Sequence, residues 1–250
     1  MAFGSRSYAR PYLAVPGFPP AIKWLLIVNI GMFVLRWITG ASALGQAFWL
    51  LALVPAQVAH GFLWQLVTYS FVHVDLWEIL WNMLTLWMFG ADIEGSWGTN
   101  RFLRFYFLCT AGPALVVVIL QYLLGNPSAP VIGAYAPIYG ILLVCAVLWP
   151  DRQVLFIIFP MKMKYFTILV GAIALFISFS GGGPAAIGML TGMAFGYIFL
   201  KSRSMGRAMP RIDPLGSIER SYRDWKLARA KKKFQVYLRK QGSDRDRFVN

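Results

Sequence analysis

Long apolar runs alternate along this chain with connectors that hold the charge. A bilayer core needs about 20 mostly apolar residues per helix. Six stretches approach that length: 21–38, 71–90, 101–124, 131–149, 164–179 and 184–200. The pattern predicts an all-α, polytopic membrane protein built as a bundle of six transmembrane helices.

The connector 39–70 contains no Lys, Arg, Asp or Glu, yet carries Phe48, Trp49, Leu53, Phe62 and Trp64. Such a segment is expected to lie in the membrane interface or dip into it. Residues 41–53 suit a short surface helix that Pro55 ends. A seventh crossing is the competing reading; Gly45, Gln46 and Pro55 oppose it, and the charge pattern gives it no support.

Basic residues precede or open the first run (Arg6, Arg10, Lys23). They recur in the 91–104 connector (Arg101, Arg104), in the 150–164 connector (Arg152, Lys162, Lys164) and throughout the last fifty residues. The alternate connectors 39–70, 125–130 and 180–183 have none, and Arg36 is the single exception. By the positive-inside rule this predicts both termini in the cytoplasm, as in a bacterial-type inner or plasma membrane protein. Domain boundaries follow: a cytoplasmic segment 1–20, a membrane domain 21–200 and a basic tail 201–250. The first apolar run has no small-residue cleavage site after it and is expected to stay as an anchor.

Composition agrees with this picture. The chain is 58% hydrophobic and 14% charged, against roughly 25% charged in a soluble domain. The formal net charge of +14 is largely a tail property, with 15 basic and 5 acidic residues in 201–250. That distribution suits anionic lipid beside the membrane and excludes the basic face of a nucleic-acid-binding domain. Residues 218–240 are compatible with a basic helix on the inner membrane surface and equally with a solvated tail. Cys109 and Cys145 lie within apolar runs and read as small buried hydrophobes.

Two features inside the runs carry more information. Gly188, Gly192 and Gly196 recur every four residues on one face, which lets another backbone come close; the Gly133–Gly140 stretch is similarly small. The second run holds His73, Asp75, Glu78, Asn82 and Thr85. Glu78 and Asn82 share a face, so a Glu78–Asn82 hydrogen bond or a wet cavity is expected there. His60 and His73 are the only histidines; nothing fixes further ligands, so neither a metal nor another cofactor is expected. Asp92 and Glu94 are expected to form ion pairs with Arg101 and Arg104.

Residues 68–106 (TYSFVHVDLWEILWNMLTLWMFGADIEGSWGTNRFLRFY), FPMKMKYF at 159–166 and the glycines at 188, 192 and 196 together resemble the rhomboid family of intramembrane serine proteases over roughly residues 22–200. The resemblance implies a six-helix bundle with a lateral opening between the second and fifth helices. It also implies a nucleophile in a Gly-x-Ser-Gly motif at the start of the fourth helix and a histidine ahead of the helix-six glycines. Here the first stretch reads GAYAPIYG, so Tyr135 stands at the serine position and Ala136 at the following glycine. Alignment on Gly188 puts Ala185 at the histidine. Glu78 replaces a helix-two histidine that helps hold the oxyanion, while Asn82 is kept and His73 matches an auxiliary position.

A hydroxyl nucleophile needs an adjacent base, and an ionised Glu78 repels a developing oxyanion. The resemblance therefore implies a catalytically inactive member without catalytic residues, a pseudoprotease whose cavity is formed by Glu78, Asn82, Tyr135 and His73. Its expected role is to bind or escort the transmembrane helices of other proteins. An active intramembrane endopeptidase using non-standard residues such as Ser128, Ser178 or Ser180, and a structural subunit of a larger membrane complex, are the alternatives.

Overall fold

A computed structural model describes residues 17–40, 42–156, 159–179 and 183–202. The expectations for the basic tail beyond Ser202 and for residues 1–16 lie outside the described residues.

Helix α1 (Pro20–Thr39) starts on a proline whose missing N–H is not needed there. Its first free N–H groups are capped from a distance. The Glu94 carboxylate accepts from Ala21 N and Ile22 N at 2.9 Å each, and from the Thr99 hydroxyl at 2.7 Å. Glu94 is only 2% exposed. The ion pairs expected for the acidic connector are therefore redrawn: Glu94 caps α1, Asp92 pairs with Arg152, and Arg101 lies over the Trp97 ring at 4.7 Å.

The charge-free connector folds as α2 (Ala43–Ala47), a 3-10 turn (Phe48–Leu51), α3 (Pro55–Ala59), α4 (Gln65–Thr68) and a second 3-10 turn (Tyr69–Phe71). No element in it is long enough to cross a bilayer. It is pinned to the start of the fourth apolar run by a bridge, Leu53 N to Val131 O at 2.9 Å and Val131 N to Leu53 O at 2.8 Å. Gln65 is fully buried and holds the connector together; its amide donates to Leu50 O and Gln57 Oε1 and its carbonyl accepts from Val54 N.

The second apolar run becomes α5 (Leu76–Thr85), a π-helical turn (Leu86–Gly90) and α6 (Ala91–Trp97). It starts later than 71–90 suggests because Asp75 caps it, with Oδ1 accepting from Trp77 N at 2.6 Å and Glu78 N at 3.3 Å. Helix α7 (Thr99–Leu123) follows, then α8 (Tyr135–Leu148), which starts four residues after Val131 is spent on the bridge. Strands β1 (Gln153–Phe156) and β2 (Phe159–Lys162) pair antiparallel. Asp151 accepts from Lys162 and Lys164 beside this hairpin, which holds its carboxyl below its ordinary pKa. Helices α9 (Met163–Phe179) and α10 (Gly183–Lys201) complete the bundle.

The fold is thus largely α-helical and multi-span. The described residues include a pair of antiparallel strands within the 150–164 connector, which the all-α expectation did not contain. Three helices, α1, α7 and α10, are long and apolar enough to cross a membrane, whereas α8 and α9 are apolar but shorter. Large apolar side chains cover the outside of the bundle, with Trp37 78% and Phe179 89% exposed. A surface of this kind suits lipid, not water.

Inside, Phe102, Phe105 and Tyr106 of α7 pack with Ile22 of α1, Leu86 of the π turn, Ile141 of α8 and Met163 of α9. Helices α8 and α10 form the most extensive helix pair. A β-carbon on Gly192 would strike the Ala136 backbone; one on Gly196 would lie 2.9 Å from Gly140 O. Gly188 was expected to take part in this seam, but a β-carbon there meets nothing within 4 Å.

Candidate functional site

The site lies where α5, α8 and α10 have their N-terminal ends. Gly133 bends the chain into α8 with φ +95°, a conformation that glycine adopts without the cost of a β-carbon. Its N–H donates to Tyr69 O at 3.0 Å, which ties the bend to the charge-free connector. The space where a side chain would stand on Gly133 is filled from two sides. Glu78 Oε1 of α5 lies over the α-carbon, and the Tyr135 ring closes it, with Cε2 2.9 Å from the β-carbon position. The Glu78 carboxyl and the Tyr135 phenol lie within interaction range of each other. Both side chains remain partly exposed.

Asn82 and His73 form a separate pair. Both are buried, with the Asn82 amide 3.4 Å from His73 Nε2. The expected Glu78–Asn82 bond is therefore replaced: Asn82 meets His73, and Glu78 turns to Gly133 and Tyr135. His73 Nδ1 and Glu78 Oε1 are enclosed and make no close hydrogen bond; the Phe71 backbone lies beside the imidazole, and the Val74 and Asp75 backbone beside the carboxyl. The His73 carbonyl accepts from Arg36 at 3.3 Å, and that guanidinium also lies over the Trp49 ring at 5.8 Å. Arg36, the one exception to the charge pattern, is thus a tie between α1, the surface connector and the chain ahead of α5. Asp75 caps α5 and lies within electrostatic range of both Glu78 and Tyr135.

Chemically, the site holds an acid, a phenol, an amide and an imidazole. Neither α8 nor α10 contains a serine or a histidine. Ala185 is partly buried near the start of α10. The seam between α8 and α10 begins at Gly192, and the same three-residue offset that leads from Gly188 to Ala185 leads from Gly192 to the buried Met189. That second register needs the packing and is not readable from glycine spacing alone.

The sequence profile of the Rhomboid domain matches residues 60–203, more than half of the chain. The chain belongs to the rhomboid family. Among curated relatives, this rhomboid chain is 31% identical over 130 residues to Rhomboid protease GluP of Bacillus subtilis, covering 51% of this chain and 25% of that protein. It is 24% identical over 160 residues to Rhomboid-like protein 19 of Arabidopsis thaliana, covering 60% and 52%. It is also 24% identical over 109 residues to the mitochondrial Rhomboid protein 1 of Saccharomyces cerevisiae, covering 42% and 31%. The rhomboid chain thus spans about half or less of these relatives' lengths.

Proposed function

We propose that this chain is a catalytically inactive rhomboid-family protein that binds the transmembrane helices of other membrane proteins. One observation carries the reading: α8 and α10, which in the family bear nucleophile and base, contain neither a serine nor a histidine in any register. Tyr135 stands where the nucleophile is expected, and Ala185 or Met189 where the base is. Serine-type acyl transfer needs a hydroxyl whose proton a neighbouring base removes, and neither alanine nor methionine accepts one. When ionised, Glu78 repels the oxyanion that the reaction gathers there.

What remains suits binding. Helices α5 and α9 both pack on α8 and share no extensive contact of their own. Their outward faces carry Trp77, Trp81, Ile173 and Phe176, all exposed. A client helix fits between them, with Glu78 and Tyr135 at one end of the gap. The proposal includes six crossings, with α5–α6 counted as one, and both termini in the cytoplasm of a bacterial-type cell. Lys23, Arg101, Arg152, Lys162, Lys164 and Lys201 gather at the end of the bundle opposite the site, which supports this orientation. The basic tail adds contact with anionic lipid.

The test is proteolysis in vesicles. Purified protein reconstituted with a single-span helical reporter is expected to leave the reporter intact and to take no label from a serine-directed fluorophosphonate. Discrete cleavage that disappears in Ser128→Ala or Tyr135→Phe would establish an active endopeptidase instead.

A further inference from the structure

We propose that Glu78 sets the choice of client: the gap beside α5 takes a membrane helix bearing a Lys or Arg level with the N-terminal turn of α5. This rests on the helix-binding reading above and gives it a chemical specificity.

Glu78 Oε1 is enclosed over Gly133, and the groups beside the carboxyl that can donate, the Tyr135 phenol and the Val74 and Asp75 backbone N–H groups, are all neutral. A carboxylate in an apolar setting is costly unless a cation pairs with it. The residue is nevertheless partly exposed, so a partner can reach the carboxyl from the open edge. The partner it lacks is a cation, and one can arrive from outside the bundle.

The protein's own cations do not answer it. Among the described residues, Arg36 is the only Lys or Arg at this end of the bundle, and it is held by the Trp49 ring and the His73 carbonyl. The nearest polar side chain along the helix, Asp75, is a second carboxylate and is engaged in capping. The local charge thus favours an incoming cation and disfavours an acidic helix.

The surface next to Glu78 fits the rest of such a client. Trp77, Leu80 and Trp81 are exposed along α5 on the flank of Glu78. A helix laid against them can run the apolar stem of a Lys or Arg over Trp77 and bring its charged head to the carboxyl. The resulting charge-assisted hydrogen bond is stronger than a neutral one.

The experiment uses the full chain with a photo-crosslinking residue at Trp81, in vesicles of phosphatidylethanolamine and phosphatidylglycerol. Three single-span polyleucine helices, identical except for Lys, Leu or Glu at the matching depth, are the probes. The Lys helix is expected to crosslink about tenfold more than the Leu helix, the scale of a hydrogen bond to a charged group, and the Glu helix less than either. Glu78→Gln should bring the Lys helix down to the Leu level. Glu78→Lys should reverse the preference towards the Glu helix, which keeps the test decisive if the Gln variant folds poorly. Equal yields from all three helices overturn the charge selection while leaving helix binding in place. Yields at Trp81 no higher than at Leu35 on α1, for every helix, overturn helix binding itself.

Discussion

At the scale of single residues, Gly133 organises the site. Its positive φ turns the chain into α8, and its missing side chain leaves room for Glu78 and Tyr135. Gly133→Ala should therefore cost about 2–4 kcal/mol, from the strained backbone and from overpacking, read as a loss of thermal stability in detergent. Combining it with Glu78→Ala should recover part of that loss, because one of the two clashing groups is gone. Strictly additive losses would contradict the Glu78–Gly133 contact. The members of this cluster were legible from the sequence as polar residues at membrane depth. Their pairing was not, because spacing puts Glu78 and Asn82 on one face but does not say which way each side chain turns. The capping role of Asp75 has a readable signal, an Asp three residues ahead of a Glu at the start of an apolar run.

At the scale of elements, the glycine stripe of α10 divides into two parts with opposite expected behaviour. Gly192 touches the Ala136 backbone, so Gly192→Ala should destabilise by about 1–3 kcal/mol through overpacking. Gly188 meets open space, so Gly188→Ala should stabilise by about 0.5–1 kcal/mol, since alanine suits a helix better than glycine. Thermal unfolding of both variants checks the seam; equal losses would contradict it. The four-residue period alone cannot separate them, because periodicity defines a face and not how far along that face the partner helix extends. Glu94 makes the same point about connectors. Sequence proximity to Arg101 suggests an ion pair, but the carboxylate also serves the N-terminus of α1, more than seventy residues earlier. Glu94→Ala leaves two buried N–H groups without a partner and should cost about 2 kcal/mol, seen as earlier proteolysis at the start of α1. The break of the second apolar run into α5, a π turn and α6 leaves no mark in hydropathy, because Leu86, Trp87, Met88 and Phe89 are apolar in either geometry.

At the scale of the whole molecule, the membrane character and the bundle were the most legible features, since lipid demands long apolar helices whatever their packing. The strands Gln153–Phe156 and Phe159–Lys162 were hidden within a connector too short to declare its own period. Orientation is open to a direct check. Cys109 and Cys145 are buried, so a cysteine introduced at Ser42, Lys23 or Lys201 reports alone. A membrane-impermeant thiol reagent added to intact cells should label the Ser42 variant and spare the other two; the reverse pattern would invert the protein in the membrane. A rhomboid scaffold that holds helices without cutting them has a direct test in the mass of a single-span reporter photo-crosslinked from Trp81 in vesicles. The expected product is an adduct containing the full-length reporter, formed more from Trp81 than from Leu35, which is exposed on α1. A reporter recovered in two defined fragments would contradict it.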